Sequence, residues 1–314
     1  MLRQQLALLD GLRKSAPEGL LSVITVCEYF WNILTSYGMR ILAALRNRDF
    51  IEMGRGIEAR YARCAEWWAP HLRCSRDFIR ANGVPAKKVA VLGAGRLLDI
   101  DLSQILSSCQ ELHLFDADPT CRAAWRAVIA DHPQVRIYPR IEDVTDVMQR
   151  WSSGLAGALR SNSLEKYLLA LSAGVPSWSL EDFDLIISLN IAGQIPLYWR
   201  DRVVKAKGQL NDGEYRALYE SMGRLQIAHI EGLWSSKAHR TAAIFDTEYY
   251  IYESSRSEWE VEVALFGAAG ELLKQGCAER ALINRDSWLW HLAPQYIEHE
   301  DQGEIHRVEA YAWS

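Results

Sequence analysis

Apolar positions change their period near residue 85. Before it, Leu2, Leu6 and Leu9, and then Ile57, Tyr61, Cys64 and Trp68, recur at helical spacing. Ser15–Gly19 punctuates this region, and Pro70 predicts a break in its last helix. Asn82-Gly83-Val84-Pro85 reads as a turn. Beyond it, short apolar runs alternate with helical segments. Strands are predicted at Val89–Leu92, Glu111–Phe115, Val135–Tyr138, Phe183–Leu189 and Thr241–Phe245. Helices are predicted at 101–109, 119–130 and 215–233, with two more inside 143–180. Ser287–His291 and His306–Trp313 read as two further strands joined by a polar loop. A β-α-β-α order implies an α/β fold with a mostly parallel sheet covered by helices on both faces. The predicted organisation is a helical N-terminal cap over residues 1–84 and an α/β domain over 85–314.

Ligands of such sheets sit beyond the C-terminal strand ends, where the strand order reverses. The sequence puts glycine or polar residues at those ends. Gly93-Ala94-Gly95 follows the first strand, where glycine permits a tight turn and close backbone approach to a ligand. Asp116 follows the second, about 20 residues on, at the spacing of an acid that accepts hydrogen bonds from a ribose diol. The alternative for Asp116 is a helix cap, a role for which Asp118-Pro119 is equally suited. Asp143 follows the third strand, Asn190 the fourth and Asp246 the fifth. In order and spacing these points predict an adenosine-containing cofactor.

Composition narrows the partners. Half of the 314 residues are apolar and a quarter are charged, with a formal net charge of −5. Such a chain has no broad attraction for nucleic acid or anionic lipid. The most apolar early stretch, Leu20–Leu45, is interrupted by Glu28, Asn32 and Arg40, so no membrane span is expected. Cys27, Cys64, Cys74, Cys109, Cys121 and Cys277 form no Cys-x-x-Cys pair, which predicts reduced thiols, no zinc site and a cytoplasmic location. His229 and Glu231 lack a third ligand at metal spacing, so no metal is expected. There is no Gly-x-Ser-x-Gly elbow and no phosphate loop.

The dinucleotide fingerprint asks for a third glycine where this chain has Leu98, which argues against a nicotinamide cofactor. Lys88 to Pro119, KVAVLGAGRLLDIDLSQILSSCQELHLFDADP, resembles the cofactor-binding half of class I S-adenosylmethionine-dependent methyltransferases. Leu92-Gly-Ala-Gly-Arg-Leu-Leu-Asp99-Ile together with Ser188-Leu-Asn190-Ile-Ala-Gly-Gln194-Ile-Pro196 is similar to a group of bacterial methyltransferase-like proteins. The resemblance covers about residues 85–250. It implies a Rossmann-like sheet ending in an antiparallel C-terminal hairpin, and an enzyme that binds S-adenosylmethionine. It also implies the methionine moiety over Gly93, Ala94 and Gly95, ribose on Asp116 beside Ala117, and adenine near Asp143. Two positions depart from the family pattern. Val91 stands where an acid is common, and Leu97 replaces the third glycine.

Methyl transfer is an in-line displacement in which alignment supplies most of the gain. Asn190 and Gln194 lie where methyltransferases commonly hold the acceptor, and Asn190 also borders the cofactor. Their alternative reading is a helix cap before a turn at Pro196. His71 is the candidate base, because its pKa lies near neutrality. Arg63 and Trp68 would reach over the cofactor if the N-terminal helices form a lid. Those helices have a second use open to them, the interface of a homodimer. The expected activity is methyl transfer to a small-molecule acceptor. The alternatives are a non-catalytic protein that holds the same cofactor, and transfer of another of its groups.

Overall fold

The computed structural model describes residues 48–83, 85–145, 147–174, 178–253, 259–279 and 281–314. The helices expected before Arg48, and Cys27 with them, lie outside the described residues. Residues Asp49–Ser314 form one compact unit.

The first described helix, α1 (Arg48–Asn82), runs through Pro70. The expected break appears instead as a kink at Cys64 (φ −112°, ψ 17°), six residues earlier. A proline inside a helix removes one hydrogen bond and crowds the carbonyl a turn before it, which bends the helix without ending it here. Its buried residues, Cys64, Trp68, His71, Leu72, Ser75, Phe78 and Ile79, share one helical face.

Four parallel crossovers follow. In chain order the elements are β1 (Lys88–Leu92), α2 (Ser103–Ser108), β2 (Glu111–Asp116), α3 (Arg122–Asp131), β3 (Arg136–Ile141), α4 (Val147–Arg160), α5 (Leu164–Ala173), β4 (Leu185–Leu189), α6 (Ile191–Lys207), α7 (Asp212–Ser235) and β5 (Arg240–Glu253). Then come β6 (Glu260–Val263), α8 (Ala269–Glu279), β7 (Leu282–Ala293) and β8 (Gln302–Trp313). The sheet order is β3-β2-β1-β4-β5-β8-β7, with β6 paired to β5 alone. β1 to β5 are parallel; β8 runs antiparallel to β5, and β7 antiparallel to β8. This is the Rossmann-like sheet expected, mostly parallel with an antiparallel C-terminal hairpin.

Alternation along the strands divides the core. Val89 and Val91 of β1 face a cluster with Trp68, Leu72 and Ile79 of α1 and Trp125 of α3. Ala90 and Leu92 face the opposite cluster with Ile230 and Leu233 of α7. A third cluster, around Trp151, Leu168, Trp199 and Met222, joins α4 to α7. Three features differ from the sequence pattern. β5 does not end at Asp246 but continues to Glu253, because β8 pairs with it along its whole length. That ladder is irregular between Asp246 and Glu248, a bulge that re-aims the side chains beside it. Helix α6 occupies the stretch for which a turn at Pro196 was the alternative, and that proline is accommodated inside the helix.

Candidate functional site

Strand order reverses between β1 and β4, so the crevice lies where Gly93 and Asn190 leave their strands. Gly93 has φ +69°, and a Cβ there would come within 2.6 Å of the Leu189 carbonyl oxygen. Only glycine fits that crossing of the two chains. The Gly95 N–H donates to Asp116 Oδ2 (2.8 Å), and its carbonyl accepts from the Trp125 indole (2.9 Å). Arg76 of α1 donates to the Leu98 carbonyl through both Nε and a terminal nitrogen. Leu97 holds φ +63°, a left-handed conformation uncommon for a residue other than glycine.

A cavity of about 390 Å³ opens beyond these strand ends. At one side stands Asp116, whose Oδ1 accepts the Asp118 N–H (2.8 Å). Burial raises the Asp116 pKa above the usual carboxylate value, opposed by the N–H groups of Asp118 and Gly95. Arg96 lies beside it, bonded to Glu58 (2.6 Å) and 3.6 Å from Asp118 Oδ2. Gly54 of α1 packs directly on the Asp118 carboxylate, where any Cβ would collide. Helix α1 thus covers this end of the cavity.

The other side is built from β4, β5 and β8. Asn190 is left-handed (φ 52°), and its Oδ1 accepts the Asp246 N–H (2.9 Å). Its Nδ2 donates to Asp246 Oδ2 (2.5 Å). That same oxygen lies 3.0 Å from His306 Nδ1, and His306 Nε2 lies 2.7 Å from Glu304 Oε1. Burial alone would lower the His306 pKa, but the two carboxylates outweigh it and raise it to about 9. The ring is therefore an imidazolium at neutral pH. Tyr249 and Trp290 flank it, with ring centres 4.3 and 5.5 Å away. Three buried polar atoms of the lining residues have no partner among the described residues: Ser75 Oγ, Asp246 Oδ1 and Trp290 Nε1. Such groups are costly unless something binds them.

Of the residues singled out from sequence, Gly93, Gly95, Asp116, Asn190, Gln194 and His71 line this one cavity. Ala94 is buried behind the loop, its N–H bonded to the Phe115 carbonyl, and Ala117 is not part of the lining. Asp143 is also outside it. Its Oδ1 accepts from the Thr145 N–H and hydroxyl and its Oδ2 from the Met148 N–H, so this carboxylate caps α4. Both His71 nitrogens are engaged: Nδ1 accepts from the Trp288 indole (2.9 Å), and Nε2 lies 2.9 Å from Asp99 Oδ1. The ring stacks on Trp290 at 4.1 Å. Trp68 lines the cavity and donates to the Leu292 carbonyl, while Arg63 forms a fork on Glu298 of the hairpin loop. Sequence reasoning missed Glu58, Arg96, Tyr249, Trp290 and His306. Their one readable signal was Glu304-x-His306 in β8, whose period of two puts both on one sheet face.

His229, flanking β5 in sequence, is fully buried on α7 with Nε2 2.9 Å from Ser188 Oγ, and burial lowers its pKa to about 3. Among the described residues no group of three or more His, Cys, Asp or Glu is placed to hold a metal ion. Among them, too, no helix is long and apolar enough to cross a membrane.

No protein-family model matches the sequence, and no curated protein matches it. Solved structures do. TehB from Haemophilus influenzae is 12% identical over 75% of this chain and 61% of its own, with a TM-score of 0.35. The N-methyltransferase NodS from Bradyrhizobium japonicum is 11% identical over 78% of this chain and 93% of its own, with a TM-score of 0.30. A DhpI complex with S-adenosylmethionine is 10% identical over 83% and 97%, with a TM-score of 0.33. At these scores the likenesses bear on no residue and no reaction. The class I methyltransferase fold is read from this chain's own strand order, with its antiparallel pair after five parallel strands.

Proposed function

We propose that the chain is an S-adenosylmethionine-dependent methyltransferase acting on a small-molecule acceptor. The observation that carries this reading is the covered cavity at the strand-order reversal, with a glycine cradle and a buried carboxylate on one side and unpartnered polar atoms on the other. The residues fit the cofactor. Gly93 turns the chain tightly against the Leu189 carbonyl, Gly95 has nothing closer than 3.8 Å to the place a Cβ would take, and Asp116 is a buried acceptor at the end of β2 suited to a ribose diol. A dinucleotide fits less well. Its pyrophosphate needs a helix N-terminus directly after the glycine loop, whereas α2 starts only at Ser103 and is six residues long.

The bound cofactor supplies an electrophilic methyl group. The protein's part is alignment and exclusion of water, to which α1 contributes by covering the cavity. Gly93 and Gly95 hold the methionine end, and Asp116, with Ala117 next to it, holds the ribose. Asn190 fixes Asp246 at the reacting side. The amide of Gln194 orients the acceptor, and the His71–Trp290 stack walls it. Adenine lies toward the Asp143 loop. The buried free thiols of Cys64, Cys109 and Cys121 support a cytoplasmic location.

Calorimetric titration with S-adenosylhomocysteine tests the reading on the wild type and on Asp116→Ala. Binding weakened by about 1.5–3 kcal/mol in a folded variant is expected, as for hydrogen bonds to a charged group. Unchanged affinity, or binding of NAD in place of the S-adenosyl compound, would overturn it.

A further inference from the structure

We propose that the methyl acceptor is an amine, held by Oδ1 of Asp246 at the end of the cavity opposite Asp116. This rests on the methyltransferase reading and names its acceptor.

Asp246 is 4% exposed and lines the cavity. Its two oxygens are treated unequally. Oδ2 takes Asn190 Nδ2 and His306 Nδ1, while Oδ1 has no donor among the described residues. A buried carboxylate oxygen in want of a donor is matched by an N–H, and most strongly by a charged one. The surroundings select the same chemistry. Tyr249 and Trp290, whose rings lie against His306, line the same cavity as Asp246, and such rings attract cations.

Among the described residues, an anionic acceptor finds no free cation in this lining. Arg60 is spent on Glu298, Arg96 on Glu58 and Asp118, and His306 on Asp246 and Glu304. The carboxylates of Glu58, Asp99, Asp116, Asp118 and Asp246 remain around the same space. A second anion there would be repelled in a medium of low dielectric constant.

The chemistry balances. An ammonium R–NH3⁺ docks on Asp246 and gives one proton to Oδ1, which exposes the nitrogen lone pair. The lone pair forms the N–CH3 bond as the C–S bond breaks, and its electrons pass to sulfur. The sulfonium becomes the neutral thioether of S-adenosylhomocysteine, the product leaves as R–NH2–CH3⁺, and Oδ1 gives its proton to water as the site empties. Asn190 and His306 are positioning residues in this scheme: they fix Oδ2 so that Oδ1 is the oxygen left over.

The test uses the full chain saturated with S-adenosylhomocysteine, titrated with phenethylamine, 2-phenylethanol and 3-phenylpropionate while tryptophan fluorescence is followed. The amine is expected to bind about tenfold tighter than the alcohol, with the carboxylate weakest. In Asp246→Asn that preference should vanish while the affinity for S-adenosylhomocysteine stays within about twofold. With S-adenosylmethionine, only the amine should release S-adenosylhomocysteine. Equal or weaker binding of the amine than of the alcohol in the wild type would overturn the inference without any variant. Retention of the amine preference in Asp246→Asn would overturn it as well. Failure of S-adenosylhomocysteine to bind would instead bring down the methyltransferase reading beneath it.

Discussion

His306 shows what a single residue can and cannot announce from sequence. In the chain it is one of eight histidines, lying in a strand far from any glycine loop. In the fold it is the cation between Asp246 and Glu304, with its pKa raised to about 9. Gly93, Gly95, Asp116 and Asn190 were legible because a strand end followed by a polar or glycine residue is a local signal. His306, Trp290 and Tyr249 join them only through the pairing of β5, β8 and β7, which no local pattern specifies. At Asp143 the same local signal has a second meaning, since a residue after a strand is as well placed to cap the next helix, and its carboxylate caps α4. The His306 pKa has a measurable consequence. The folded value lies above the ordinary 6.5, so the protonated ring stabilises the fold. That contribution is complete below about pH 6.5 and is lost as pH rises through about 9. Stability should fall between pH 7 and 9.5. His306→Gln leaves the buried Asp246 and the half-buried Glu304 without their cation, so it should be destabilised by about 3 kcal/mol at pH 7. Its deficit should narrow as pH passes 9. A deficit that stays constant over this range would mean that the imidazolium contributes nothing to the pH dependence.

At the scale of elements, periodicity located most helices and every described strand except β6, but not how α1 is used. Its apolar face predicts burial, and Trp68, Leu72 and Ile79 are buried against the sheet. Its fastening depends on polar contacts distant in sequence. Arg60 and Arg63 reach Glu298, Trp68 reaches the Leu292 carbonyl, and Glu58 reaches Arg96. The kink at Cys64 divides the helix into a part packed on the core and a part that lies over Asp118. Two glycines in that second part make a matched pair. Gly56 faces open space, so Gly56→Ala should stabilise the protein by about 0.5–1 kcal/mol through helix propensity alone. At Gly54 the added methyl falls on the Asp118 carboxylate. Gly54→Ala should push the helix off the cavity and speed release of S-adenosylhomocysteine about tenfold. Stopped-flow displacement measures the rate and denaturant unfolding the stability. Equal release rates for the two variants would deny α1 its covering role.

At the scale of the molecule, the alternation of strands and helices was enough to predict a mostly parallel sheet, and a polar loop between two late strands predicted the hairpin. What sequence could not show was the consequence of inserting β8 between β5 and β7. That insertion carries Glu304 and His306 back to the C-terminal ends of the parallel strands, opposite the glycine loop. The cavity is thus closed by the first described helix and by the last strand, and residues from α1, the loop after β1, β2, β4, α6, β5, β7 and β8 meet across it. A ligand filling that space ties the two ends of residues 49–314 together, so its binding should register in global unfolding. At about 100 times its dissociation constant, S-adenosylmethionine or S-adenosylhomocysteine should add about 2.7 kcal/mol. For a unit of this size that raises the unfolding midpoint by about 5 °C, while NAD leaves it unchanged. A rise with NAD alone would reassign the glycine loop to a dinucleotide. No rise with any of the three would show that the strand-end cavity is not a cofactor site, whatever the sheet around it resembles.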